Sequence, residues 1–156
     1  MGKKSIVFAL AIIIIVAFMG YTMFINNDTK ATQETVRVGS ANFILPEGYT
    51  MGVPNNYGDV NITNGDISFF LLEYPDSSLQ KHVDDYQESI GENQTLSISN
   101  FTCPNNMVVV KAVNDQHPNT VHYWYVYHNK TYSVYSWDYG KLDNTVKELI
   151  QNQYFS

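Results

Sequence analysis

The sequence predicts an α+β domain, an antiparallel sheet of about six or seven strands with a helix on each face, preceded by one N-terminal transmembrane helix. Three observations predict it. An Asn64-Gly65 pair separates two β-rich runs, eight aromatic rings crowd an alternating stretch over residues 122–139, and two segments repeat apolar residues at helical spacing. The helices follow runs of strands instead of separating every pair, which favours an antiparallel sheet over a doubly wound parallel one.

Residues 6–25, "IVFALAIIIIVAFMGYTMFI", are twenty residues without a charge. At ~1.5 Å rise per residue such a helix spans the ~30 Å of a bilayer core. An uncleaved anchor is expected over a cleaved signal peptide, whose apolar region runs to only about 15 residues; the small-x-small triplet that follows, Thr29-Lys30-Ala31, is late and polar. Lys3 and Lys4 are the only charges before the span, so residues 1–5 are expected to form a cytoplasmic tip and everything after residue 25 to lie outside. The expected location is the cell membrane, with one pass and an extracytoplasmic C-terminal domain.

Beyond the two lysines, seven basic residues face fifteen acidic ones, a formal −8. That balance excludes nucleic acid as an expected partner, because its binding depends on neutralising phosphates with Lys and Arg. One cysteine, Cys103, cannot form an internal disulfide, so the domain must be held by its core. Its "TCPNN" setting suits a small buried hydrophobe better than an activated thiol, since no cation flanks it.

Residues 26–35, "NNDTKATQET", have no apolar periodicity and read as a polar stalk, leaving residues 36–156 as the globular domain. "VNITNGDISFFLLEY" predicts a hairpin with Asn64-Gly65 as its two-residue turn. Leu79, Val83, Tyr86 and Ile90 then recur at helical spacing after Asp76, Ser77 and Ser78, with Gly91 placed to end the helix. "TLSISNFT" and "MVVVKAV" predict strands around a Cys103-Pro104-Asn105-Asn106 turn, and the unbroken apolar run of the second predicts burial on both faces. A second hairpin is expected over residues 121–137 around Asn129-Lys130. Leu142, Val146, Leu149, Ile150 and Tyr154 predict one apolar face of a closing helix, with Asp143 near its start.

Residues 43–49, "FILPEGY", resemble the Phe-x-x-Pro-x-Gly-aromatic opening of the PsbP-like and DcrB-like α/β/α sandwich domains, and the element order over residues 43–155 is similar to theirs. The resemblance implies a central antiparallel sheet with helices on both sides, in a group whose members are mostly accessory or binding proteins. It carries no site residue over to this chain.

With Asn129-Lys130 as the turn, Trp124 pairs with Tyr135 and His122 with Trp137 on one face, while Tyr125 faces Val134 and Tyr127 faces Tyr132 on the other. Two aromatic faces predict a strand pair covered from above and below, its hydroxyls reaching partners at the edge. The competing expectation is a carbohydrate- or peptide-binding module with an exposed row, Tyr123, Tyr125 and Tyr127, joined by Tyr132. Ring spacings of about 6.6 Å along a strand suit successive groups of an extended ligand.

No nucleophile elbow, zinc-protease motif, P-loop or dinucleotide fingerprint occurs. His122 and His128 stand six residues apart, about 20 Å along a strand, too far to share a metal. His82 and Asp85 have helical spacing but no third partner. Asp59, Asp66, Glu73 and Asp76 are scattered, whereas glycosidase chemistry needs two carboxylates across a cleft. We therefore expect no cofactor, no metal and no catalysis, and an envelope-facing binding or accessory domain whose partner is an envelope protein or a glycan. Five sequons, at Asn27, Asn61, Asn93, Asn100 and Asn129, are candidate N-glycosylation sites.

Overall fold

A computed structural model describes residues 33–155. The tip, the predicted membrane helix, the stalk up to residue 32 and the Asn27 sequon lie outside the described residues. Among the described residues no helix is long and apolar enough to cross a membrane.

The chain order is β1 (Thr35–Val38), β2 (Ala41–Ile44), β3 (Thr50–Met51), β4 (Val60–Thr63), β5 (Ser68–Tyr74), α1 (Leu79–Ser89), β6 (Leu96–Thr102), β7 (Val108–Asn114), β8 (Val121–Tyr127), β9 (Lys130–Ser136), α2 (Asp143–Gln151) and β10 (Gln153–Phe155). Seven strands form one sheet in the order β3-β4-β5-β9-β8-β7-β6, every neighbour antiparallel. The first residues form a second sheet, β1-β2-β10, which brings the last strand of the domain beside the second.

Alternation along β8 assigns its residues to two layers. Tyr123 and Tyr125 point to a core shared with Phe43 of the small sheet, Leu45 just past it, Leu142 at the N-cap of α2 and Val146, Leu149 and Ile150 within that helix. Trp124 points the other way, into a smaller cluster with Ala112 and with Val83 of α1. A helix therefore lies on each face, and the small sheet shares the α2 layer. β7 contributes to both cores, Val109 to one and Ala112 to the other, although Val108 at its start stands 53 % exposed. Each fully buried Leu, Ile or Val of α2 is worth about 1.5–3 kcal/mol of transfer free energy.

Four local expectations are corrected. The first hairpin closes through four residues, since Thr63 pairs with Ser68 and only Gly65 of the intervening segment has positive φ, at 94°. Asn64 instead caps the loop through its side chain, accepting from the Ile67 N–H at 2.8 Å. The second hairpin turns one residue early, at His128 and Asn129, whose φ values of 47° and 59° make the two-residue turn while Lys130 pairs with Tyr127. Asn tolerates the left-handed region and Lys gains by staying extended. Tyr154 does not extend the α2 stripe; it sits on β10 opposite Asn42 and is 46 % exposed. Thr35, assigned to the stalk, opens β1, and the Glu34 carbonyl already accepts from the Leu45 N–H at 2.8 Å.

Candidate functional site

The tyrosine row is in the core. Tyr123, Tyr125 and Tyr132 have no exposed surface and Tyr127 is half-buried, so the expectation of an exposed row fails, because α2 and the small sheet cover that face. Trp124 opposes Ser133, and Tyr125 opposes Tyr132, their rings stacked at 5.6 Å. The earlier turn shifts each partner by two residues, which changes every pairing and leaves every face unchanged.

Each buried phenol ends on an acceptor in another segment. Tyr123 donates to Asp143 Oδ1 at 2.6 Å, at the start of α2, and Tyr125 donates to Gln153 Oε1 at 2.8 Å, on β10. Tyr132 donates to Glu73 Oε2 at 2.6 Å, and Glu73 also accepts from the Ser40 N–H at 2.6 Å in the β1–β2 turn. On the opposite face Tyr135 donates to Asp59 Oδ2 at 2.6 Å and accepts from Asn55 Nδ2 at 2.9 Å. Burial first, then the neighbouring carboxylates, push Tyr123, Tyr132 and Tyr135 well above the ordinary phenol range; burial does the same to Tyr125. These phenols stay protonated; Tyr123 and Tyr125 tie β8 to α2 and β10, while Tyr132 bonds its cross-strand partner Glu73 and Tyr135 bonds Asp59 beside β4.

Burial alone would raise Glu73 and Asp143. Bonds from Tyr132 and Ser40 to the first, and from Lys111 and Tyr123 to the second, outweigh it and hold both below the usual carboxylate range. Asp59 and Glu73 line one cavity of about 360 Å³ with Arg37 and Tyr57. Each is engaged by its own phenol, Asp59 by Tyr135 and Glu73 by Tyr132. Their partners Tyr135 and Tyr132 are three residues apart on one strand, hence on opposite faces of the sheet, and each carboxylate follows its own phenol.

His82 bonds Asp76 rather than Asp85, Nε2 to Oδ1 at 2.9 Å, and its ring stacks on Tyr74 at 3.8 Å; Asp85 is taken by Lys81. His122 is enclosed by Tyr86, Trp124 and Tyr135 at 4.2, 4.9 and 4.6 Å, and burial pushes its imidazole down to about 3. Its Nδ1 has no hydrogen-bond partner among the described residues. Among those residues no three His, Cys, Asp or Glu side chains gather as metal ligands. The Cys103 thiol is buried and raised by that burial. Of the sequons, Asn93, Asn100 and Asn129 are exposed, while Asn61 is half-buried with its Oδ1 accepting from Ser68 Oγ at 2.6 Å.

Tyr57 and Tyr154 face solvent at 88 % and 46 %, and so does Trp137, 53 % exposed just past the end of β9. It packs against Phe70 and Tyr135, both at 5.3 Å, which fixes the indole from behind. Beside it lies an open cleft of about 430 Å³ lined by Gln116, His117, Pro118, Asn119, Thr120 and Asp138. Both walls are held by internal bonds. The buried Asn114 accepts from the Gln116 and His117 N–H groups at 3.0 and 3.1 Å, and Thr120 Oγ1 donates to the Trp137 carbonyl at 3.2 Å. Ser136 Oγ accepts from the Asp138 and Tyr139 N–H groups at 3.3 and 3.2 Å. Gly140 allows the walls to meet, for a Cβ there would stand 2.3 Å from the Pro118 carbonyl oxygen. By contrast the side chains of His117, Asn119 and Asp138 are exposed and bond nothing among the described residues. The cleft brings together residues 116–120 and 137–138. Their meeting follows from the β8–β9 register, which sets Val121 opposite Ser136.

No family model and no curated protein matches the chain. Among solved structures it is similar to cyanobacterial PsbP (CyanoP) of Synechocystis sp. PCC 6803, with a TM-score of 0.51 at 9 % identity over 81 % of this chain and 94 % of that one. At that identity the likeness is one of fold, and it supports the PsbP-like architecture that "FILPEGY" suggests.

Proposed function

We propose that this chain is a single-pass, membrane-anchored domain of the cell envelope that faces outward and binds or supports a partner without catalysis. The observation that carries the binding role is the contrast in how polar groups are used. The buried phenols are consumed in bonds to Asp143, Gln153, Glu73 and Asp59, whereas His117, Asn119 and Asp138 stand without internal bonds around an exposed indole in an open cleft. A preformed cleft with a few convergent polar groups is the usual form of a binding site. The anchor and the outward orientation rest on the uncharged residues 6–25 and on Lys3 and Lys4 before them.

A reporter fused after Ser156 tests the topology. Activity of an extracytoplasmic reporter, such as a periplasmic phosphatase, is the expected result, and activity of a cytoplasmic one overturns the reading. Capture of a defined envelope component by the wild-type chain, lost when the Trp137 cleft is altered, tests the binding role.

A further inference from the structure

Resting on that binding role, we infer that the cleft between Trp137 and the 116–120 loop is a saccharide-binding subsite, with the indole as its platform and Asn119, Asp138 and His117 as its polar rim. A pyranose offers an apolar C–H face and a ring of hydroxyls at its edge. The first needs a flat, exposed aromatic surface that does not move, which Trp137 provides with Phe70 and Tyr135 behind it. The second needs amide and carboxylate groups in the plane around that surface, free of internal bonds, and Asn119 and Asp138 line the same cleft in that condition.

Other ligand classes fit less well. No Lys or Arg lines the cleft and Asp138 does, so it offers a phosphate or a carboxylate no permanent cation and one like charge. A purely apolar ligand would leave Asp138 and Asn119 facing it unpaired. A volume of about 430 Å³, open to solvent, suits one or two sugar rings of a longer chain. Preorganisation is built into the frame: the Asn114 and Ser136 side chains fix the two loops, so little order has to be gained on binding.

The test uses the full chain in a zwitterionic detergent, sugar-headed detergents being avoided, with hexasaccharides of glucose, N-acetylglucosamine and mannose as probes. The chain has two tryptophans, and the buried Trp124 serves as an internal reference for the exposed Trp137 in indole N–H spectra. At least one hexasaccharide should shift the Trp137 signal saturably and leave Trp124 in place. Trp137→Ala should weaken binding, read by calorimetry, by about tenfold or more, with Trp137→Phe retaining most of it. Asn119→Ala and Asp138→Asn should each weaken it about three- to tenfold with the Trp124 signal unmoved. Failure of all three probes to move Trp137, or binding that survives Trp137→Ala, overturns the assignment. If the probes fail while an envelope component is still captured from outside, the saccharide falls and the binding domain stands; a cytoplasmic reporter result removes the latter whatever the sugars do.

Discussion

The two faces of the β8–β9 hairpin have nearly the same aromatic composition and opposite fates. On the α2 face Tyr123, Tyr125 and Tyr132 lie under a helix and a three-stranded sheet, the first two hydroxyls tied to α2 and β10 and the third to Glu73 of the neighbouring strand. On the α1 face an eleven-residue helix covers Trp124 and His122, and the cover ends before Trp137. Composition therefore does not decide which rings face solvent; the extent of the layer above them does. A ring row becomes core where two elements share the covering, and a platform where one short helix runs out.

The largest effect should come from truncating neighbouring residues on opposite faces of β8. Trp124→Ala and Tyr125→Ala each remove a buried large aromatic and should destabilise by about 3–5 kcal/mol in denaturant unfolding. A much smaller loss for Trp124→Ala would mean that α1 is loosely docked and that the two faces differ more than their packing shows.

Removing a single tie sharpens the comparison. Tyr123→Phe leaves the ring in place and deletes one bond to the Asp143 carboxylate, which still holds Lys111 at 2.7 Å. The expected loss is about 1.5–3 kcal/mol, the range for hydrogen bonds to charged groups. It should shrink below the carboxylate range of pH. Asp143 is held below its ordinary value in the folded state, so its contribution is present above the unfolded value near 4 and lost as pH falls through the folded one.

Acid should distinguish the α1 face in a different window. The His122 imidazole is pushed down to about 3, so the folded state refuses a proton that the unfolded chain accepts below about 6.5. Its contribution is full above that value and is lost progressively as pH falls towards 3. By pH 5 the loss should be at most about 2 kcal/mol, at 1.36 kcal/mol per unit. His122→Phe, which keeps a ring among Tyr86, Trp124 and Tyr135, should flatten stability between pH 6.5 and 5. An unchanged slope would place the acid sensitivity elsewhere.

Alternation made the faces legible in the sequence, and a turn misplaced by one residue did not disturb them, because the pairing moved by two and parity survived. The Leu142, Val146, Leu149 and Ile150 stripe was equally readable. Tyr154 was not, since its spacing matches a helix while its backbone is claimed by Asn42, a pairing more than a hundred residues away that no local pattern records. The small sheet escaped for the same reason: four-residue strands around Gly39 and Ser40 are stabilised by what they cover. Coverage also hid the site. The sequence points to the Tyr123, Tyr125 and Tyr127 row and not to Trp137, and only the layer that covers the row, beside the exposure of Trp137, reverses that order.

The smallest effect on stability should come from the ring to which we assign the largest effect on binding. Trp137 is the bulkiest side chain of its stretch, and a core reading of residues 122–139 would assign its truncation several kcal/mol, as for Trp124. More than half of its surface already faces water, and the Thr120 and Ser136 hydroxyls beside it bond backbone groups and not the indole. Trp137→Ala should therefore change unfolding free energy by no more than about 0.5 kcal/mol, the usual range for exposed positions. Phe70 and Tyr135 lose one neighbour each but keep each other, stacked at 5.1 Å. A thermal melt of the variant beside Trp124→Ala reads the difference directly. A loss near 3 kcal/mol would make Trp137 a lid on the aromatic cluster, and the α1 face would then be as closed as the other.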